Sequence, residues 1–183
     1  TNVTPNHLNH HKDMREYIDA KRNILLYQRP DSRAVLGYEN DVTRAMAADV
    51  KGSFQWFTRK SVVENGGFLR DDGTLCLAAD GVVTPVLHKS EVALRGEHNL
   101  ENLLAAFCAV RGMADERVMA RVARTFAGVE HRIEPVRTLD GVQWFNDSIA
   151  TSPTRVIAGL RAFDRKLIVI AGRSEKGNSF APH

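Results

Sequence analysis

The alternation of apolar and polar side chains divides the chain into zones with different predicted structure. Residues 13–26 have apolar side chains at helical spacing, and Asp13 is suited to cap that helix. Residues 33–97 have the pattern of short strands separated by turns. Within them, Asp72-Gly73 and Asp80-Gly81 are strong hairpin signals on either side of one strand.

Two more helices are predicted over residues 100–111 and 116–127. Asn99 is a natural N-cap for the first helix and Asp115 for the second. The first helix has an apolar face that includes Cys108, and the second has an apolar stripe at a spacing of four, formed by Val118, Val122 and Phe126.

The last zone predicts a βαβ unit, with strands over residues 142–146 and 167–171 and a helix over 153–163. Ser152 as N-cap and Pro153 at the first helical position mark the start of that helix. The fold class is therefore α/β. A boundary near residues 128–130 would divide the chain into one domain over 1–129 and a second over 130–183.

Composition narrows the function classes only modestly. The net charge is +3 and the pI about 9.0, but no Lys/Arg run is present, so we expect no nucleic-acid partner; a phosphate-bearing ligand explains mild basicity equally well. The longest apolar runs fall far short of the ~20 residues of a membrane span, so we expect no membrane partner. Cys76 and Cys108 have no recognisable spacing, and the place of Cys108 on an apolar helix face favours a reduced core thiol in a cytoplasmic protein.

Several polar residues are candidates for chemistry at one edge of the predicted βαβ unit. Asp147 and Thr151 follow its first strand and Lys176 follows its second, and parallel strands joined by one crossover present both carboxyl ends at the same edge. An acid, a hydroxyl at a helix start and an ammonium could bind an anionic ligand there. The alternative is that Asp147 and Ser148 only form turns and caps.

Lys21 falls on the apolar stripe of the first predicted helix, where an apolar residue is expected. One interpretation is that its ammonium reaches out to water. The other is that burial lowers its pKa and makes the amine reactive, able to take up carbon dioxide and become a carbamate that binds Mg²⁺.

Three further groups of residues have both a structural and a functional interpretation. His7, His10 and His11 could mimic a transition-metal site or form a solvated turn. Asn102 could read a base edge together with Asn99. Arg132 could reach phosphate oxygens in a cleft between domains, or form a surface salt bridge.

These pieces occur in the order and approximate spacing of the Mur ligase family, which the chain resembles over nearly its whole length. The segments that resemble the family are NVTPNHL at 2–8 with YIDAK at 17–21, GEHNLEN at 96–102 and HRIE at 131–134. The NDSIAT segment at 146–151 resembles the members that add D-glutamate, whereas other members and the folylpolyglutamate synthetases differ there.

The resemblance implies a fold and an activity. The fold would be part of a central ATP-binding α/β domain with a small β-rich part, followed by a partial Rossmann-like βαβ domain. The activity would be ATP-dependent ligation of D-glutamate to UDP-N-acetylmuramoyl-L-alanine through an acyl phosphate, in peptidoglycan precursor synthesis. The partners would be these small molecules alone, and the intact protein would be a cytoplasmic monomer.

The resemblance also implies roles for individual residues, with His7, Lys21 and Arg132 taking part in catalysis. The roles are Mg²⁺ binding for His7 and carbamylated Lys21, adenine contact for Asn99 and Asn102, nucleotide contact for Arg132 and Asp147, and D-glutamate binding for Thr151 and Lys176.

The chain departs from the family pattern at several points. Ile149 stands where lysine is common, Asn9 where aspartate is common and Arg173 where glycine is usual. No G-x-x-x-x-G-K-[ST] phosphate-binding loop is present in the 183 residues. We therefore expect an internal fragment that is inactive alone, with a poorly ordered or aggregation-prone C-terminal third. Another ligase of the Mur or folylpolyglutamate type, or a non-catalytic nucleotide-binding module, stays an alternative.

Overall fold

A five-stranded mixed sheet forms the centre of the computed structural model, which describes residues 2–4, 11–151 and 153–172. Its strands lie side by side in chain order, with β1 to β3 parallel and β3 to β5 antiparallel. They are β1 (Arg33–Gly37), β2 (Ser53–Thr58), β3 (Gly66–Leu69), β4 (Thr74–Ala79) and β5 (Val82–His88).

Helices cover both faces of this sheet. One face packs against α1 and α2 and the other against α3 and α4, so side chains on alternate strand positions enter different cores. The helices are α1 (Met14–Leu26), α2 (Asp41–Met46), α3 (Glu97–Val110) and α4 (Glu116–Thr125), with two 3₁₀ turns at Ala47–Asp49 and Lys89–Glu91.

The main core lies between α3 and the sheet. Leu104 and Cys108 of α3 are fully buried, and a side chain on Gly67 of β3 would come within 3.1 Å of the Cys108 Sγ. Glycine at this position therefore lets the helix approach the strand closely. Burial raises the pKa of the Cys108 thiol to about 11, and the predicted core position of this free cysteine is confirmed. Cys76 is also a buried free thiol.

The local signals for the first helix and the hairpins are confirmed. The Asp13 carboxylate accepts a hydrogen bond from the Glu16 backbone N–H at 2.9 Å, which satisfies a donor in the first turn of α1. Asp80 and Gly81 both have positive φ, at 52° and 75°, as the two-residue turn between β4 and β5 requires.

Two helix predictions were wrong in detail. Asn99 is not an N-cap, because α3 begins earlier and Gly96 occupies that position. On α4 the predicted stripe of Val118, Val122 and Phe126 is exposed, and the buried face consists of Met119, Ala120 and Ala123. The two small alanines allow close packing against the sheet, which the spacing of larger apolar residues does not reveal. Helix α2 was missed.

Residues 130–151 and 153–172, which we call the second unit, differ from the predicted βαβ unit. Strand β7 (Val142–Asn146) pairs antiparallel with β6 (Glu134–Leu139), through a turn at Asp140 and Gly141 with φ of 50° and 79°. Helix α5 (Pro153–Leu160) follows. Residues 167–171 form no strand, and Ile168 and Ile170 are 96% and 83% exposed, since no described strand offers them a partner. Ser152 lies outside the described residues.

None of the described helices is long and apolar enough to span a bilayer.

We predict that Leu104→Ala lowers the free energy of unfolding by about 2–5 kcal/mol, since it empties a fully buried position. Val110→Ala, on the same helix but 37% exposed, is the matched control and has a much smaller effect. Urea denaturation followed by circular dichroism measures both. Equal losses for the two variants would contradict the packing described for α3.

Candidate functional site

The start of α3 lies at the carboxyl edge of the parallel strands. Because β1 and β2 are parallel, their carboxyl ends share one edge of the sheet. Arg59, directly after β2, donates to Glu97 at 2.7 Å and to Glu101 at 2.9 Å, one helical turn apart on α3. The first turn of the helix is thereby tied to the strand edge where ligands of open α/β sheets bind.

A polar groove of about 170 Å³ opens at this edge, lined by Asn2, Thr4, Glu39, Asn40 and Glu101. The Asn40 side chain caps α2 by accepting from the Thr43 backbone N–H at 3.0 Å. Its amide also donates to the Val3 carbonyl at 2.9 Å. One carboxamide thus connects residues 2–4 to the sheet edge.

The two asparagines of α3, Asn99 and Asn102, are linked by hydrogen bonds in a chain that we call the asparagine relay. Asn99 is buried and donates to the Arg95 carbonyl at 2.6 Å, and its side-chain oxygen accepts from the Asn102 amide at 3.0 Å. Asn102 is exposed. Of the pair predicted to read a base, Asn102 therefore faces the surface, while Asn99 holds it in one orientation.

The second unit approaches the same helix start. Gly96, the N-cap of α3, has a φ of 92°, and a Cβ there would lie 3.0 Å from the Ala162 Cβ that follows α5. Both the backbone conformation and the close contact favour glycine.

His98 lies between the two units. Burial lowers its pKa, and the charges of Arg132 and Arg59 act in the same direction, whereas Asp147 and Glu101 oppose them. The imidazole is therefore held in its neutral form near neutral pH. Asp147 and Arg132, the two residues of the second unit predicted to contact the nucleotide, are close enough to His98 for their charges to affect its pKa.

The two predicted motifs of the second unit are joined by hydrogen bonds. The Ile133 backbone N–H donates to the Asp147 carboxylate at 3.2 Å. The Asn146 amide lies 2.9 Å from the His131 ring and 3.3 Å from the Glu134 carboxylate. His131 and Ile133 have positive φ, which shapes the turn that presents the exposed Arg132.

Asp147 packs against helix α5 at a glycine. A Cβ on Gly159 would lie 2.7 Å from the second Asp147 oxygen. The carboxylate is thus fixed by a backbone donor on one side and by the bare surface of α5 on the other. Thr151 is exposed, and its backbone N–H donates to the Ile149 carbonyl at 2.9 Å.

The predicted metal segment is only partly described. His7 and His10, and likewise Lys176, lie outside the described residues. Lys21 is exposed, with its ammonium 5.5 Å from the Tyr17 ring centre, so the interpretation that burial activates its amine is wrong for the described structure. Among residues 2–4, 11–151 and 153–172, no group of three or more His, Cys, Asp or Glu is arranged to hold a metal.

Sequence reasoning missed several residues that build this site. Gly96 carried only a weak signal, since it begins the GEHNLEN segment but an N-cap residue normally has an extended backbone with negative φ. Arg59, Arg95 and Gly159 carried none, since their roles come from contacts with residues distant along the chain.

Comparisons with known proteins agree on a family. A family model of the Mur ligase middle domain matches residues 1–110. The chain is 50% identical, over 96% of its length, to the UDP-N-acetylmuramoylalanine–D-glutamate ligase of Acetivibrio thermocellus. It is 48% identical, over 100% of its length, to the protein of that name in Clostridium novyi. It spans only 38% and 39% of those two relatives.

Solved structures of the family share the fold. MurF from Acinetobacter baumannii matches with a TM-score of 0.69 at 16% identity, covering 88% of this chain and 35% of that one. A pseudomurein peptide ligase type C from Methanothermus fervidus matches with a TM-score of 0.66 at 15% identity, covering 88% of this chain and 40% of that one.

We predict that His98 makes stability depend on pH near neutrality. Its folded pKa lies below the ordinary value of 6.5, so the unfolded chain binds the proton more readily. The stabilisation is complete above about pH 7.5 and is lost as the pH falls through 6.5 toward the folded pKa. Urea denaturation across this range should show a smaller pH slope for His98→Gln than for the unaltered protein. An identical slope would contradict the assignment.

Proposed function

The chain belongs to the Mur ligase family, and we propose that the protein of which it forms part joins D-glutamate to UDP-N-acetylmuramoyl-L-alanine at the expense of ATP. The observation that carries this proposal is the extent of the similarity to named D-glutamate ligases. That similarity runs through residues 130–183 as well as the part matched by the family model, at 48% identity over the whole chain for Clostridium novyi. The NDSIAT segment lies in that second part.

The proposed reaction has two steps. A carboxylate oxygen of the alanyl group attacks the γ-phosphorus of ATP, which forms an acyl phosphate and releases ADP. The amine of D-glutamate then attacks the acyl carbon, and inorganic phosphate leaves as the amide forms and the nitrogen gives up a proton. Positioning and charge neutralisation do most of the work in phosphoryl transfer.

The start of α3 supplies the proposed adenine contact. We assign direct contact to the exposed Asn102, and orientation of that amide to the buried Asn99, because the two are hydrogen-bonded in that order. Arg132 and Asp147 are proposed to contact the nucleotide from the second unit. Their electrostatic contact with His98, on the first turn of α3, supports this proposal.

The proposed D-glutamate site consists of Thr151 and Lys176, which would bind its α-carboxylate. Thr151 is exposed two residues before the start of α5, where a helix start favours an anion. Lys176 stays a prediction from the sequence.

Mg²⁺ would neutralise phosphate charge in this reaction. The described residues do not assemble a ligand set for it, and Lys21 is exposed. Mg²⁺ binding by His7 and a carbamate on Lys21 therefore stay predictions from the sequence, and no step of the mechanism is derived from them. We also propose that the intact protein is cytoplasmic, consistent with the two buried free thiols, and that it is a monomer.

The test of the proposed function is ADP release by the intact protein with ATP, Mg²⁺ and UDP-N-acetylmuramoyl-L-alanine. We expect release that requires D-glutamate and is not supported by L-glutamate, L-lysine or meso-diaminopimelate. Release with one of the other amino acids would move the protein to a sister ligase. No release with any of them would favour a non-catalytic nucleotide-binding module.

We predict that Gly159→Ala weakens nucleotide binding without lowering stability. The new methyl group would displace the Asp147 carboxylate, whose oxygen lies 2.7 Å from that position, whereas alanine favours the helix by about 1 kcal/mol. Calorimetric titration of the intact protein with ATP, together with thermal unfolding, measures both effects. Ala158, the preceding residue of α5, provides the control variant Ala158→Ser. Unchanged ATP affinity in Gly159→Ala would remove Asp147 from the nucleotide site.

A further inference from the structure

Arg95, directly before the N-cap of α3, binds an aromatic pair of the second unit. Its guanidinium carbon lies 5.6 Å from the Phe145 ring centre and 5.7 Å from that of Phe163. The two rings contact each other edge to face, with centres 4.9 Å apart. These distances are within the range of cation–π attraction, so one cation holds a residue of β7 and a residue after α5 together.

The backbone of Arg95 takes part in the other half of the site. Its carbonyl accepts the hydrogen bond from buried Asn99, and Asn99 in turn orients the exposed Asn102. A shift of Arg95 therefore moves the acceptor on which this relay depends.

The aromatic pair lies next to the polar group of the second unit. Phe145 is two residues before Asp147 on the same strand end, and Phe163 follows α5, whose Gly159 touches the Asp147 carboxylate. Gly96 against Ala162 forms a second contact between the units at the same place. Arg95 thus joins the asparagine relay to the unit that carries Asp147, since its carbonyl contacts Asn99 and its guanidinium contacts the two rings.

No described acidic side chain forms a salt bridge with Arg95. Arg59, by comparison, is tied to two carboxylates of α3. Within the described residues, the partners of the Arg95 guanidinium are therefore the two rings of the second unit. Its charge attracts groups of the other unit and not groups of its own.

We propose that Arg95 is a positioning residue that sets the two halves of the nucleotide site at their working distance. The inference rests on the proposed function, since it takes ATP as the ligand that contacts both Asn102 and the Arg132–Asp147 pair. Arg95 itself acts through Asn99 and through Phe145 and Phe163, and needs no direct contact with the nucleotide.

The test compares Arg95→Met with Arg137→Met in the intact protein. Methionine keeps the length and the apolar part of the side chain but removes the charge. Arg137 provides the matched control because it lies 5.7 Å from the Trp144 ring centre within the β6–β7 hairpin, so its cation–π contact does not join the units. We expect Arg95→Met to weaken ATP binding about threefold to tenfold in calorimetric titration, and Arg137→Met to leave it unchanged.

Two further variants separate positioning from a general structural effect. Arg95→Lys keeps the cation and should recover part of the lost affinity. Phe163→Leu should also weaken ATP binding, and the double variant should lose little more than Arg95→Met alone, because Arg95→Met already removes the contact with Phe163. Additive losses would overturn the proposal, as would an equal loss in Arg137→Met.

A measurement without ATP keeps this inference distinct from the proposed function. Amide hydrogen exchange of the ligand-free intact protein should become faster in both residues 96–102 and 145–151 for Arg95→Met, with no change there for Arg137→Met. If the unaltered protein binds no ATP, the proposed function fails and exchange alone decides the role of Arg95. Unchanged exchange in both segments would overturn the role in either case.

Discussion

The close packing of α3 on the sheet is the constraint on which the rest of the structure depends. Because Gly67 has no side chain, Cys108 and Leu104 fill the space above β3. The same helix then carries the site at its other end, where Arg59 ties its first turn to β2. Because the helix is rigid and densely packed in the core, the orientation of Asn102 is fixed as well, about two turns away from the buried Cys108.

The second unit packs closely against that helix at positions where glycine has no side chain. Gly96 admits Ala162, and Gly159 leaves room for the Asp147 carboxylate. Polar contacts complete the arrangement, because the Ile133 N–H fixes the other Asp147 oxygen. The contact between the units thus combines backbone surfaces that approach closely with the charged side chains of Arg95 and Asp147.

Local signals in the sequence predicted local structure well, whereas features that depend on contacts between distant residues could not be predicted. The cap at Asp13 and the turn at Asp80 depend on neighbouring residues, so they could be predicted. The second strand of the predicted βαβ unit depends on a partner strand that the described residues do not supply. Asn99 was identified as a site residue but given the wrong structural role, because a cap and a buried relay use the same amide chemistry. The position of Arg95 against two rings could not be predicted from spacing.

Pro85 has a consequence for how copies of the molecule meet. It lies in β5, the last strand of the five-stranded order, opposite Cys76 and beside the register shift in the β4–β5 pairing. Proline offers no N–H to a strand arriving from outside, and the irregular pairing bends the edge away from a flat template. Self-association by strand addition is therefore opposed at β5, even though Val82 and Val83 are exposed there. Proline and the irregular pairing therefore protect this edge of the sheet against a further strand, while the side chains of Val82 and Val83 stay exposed.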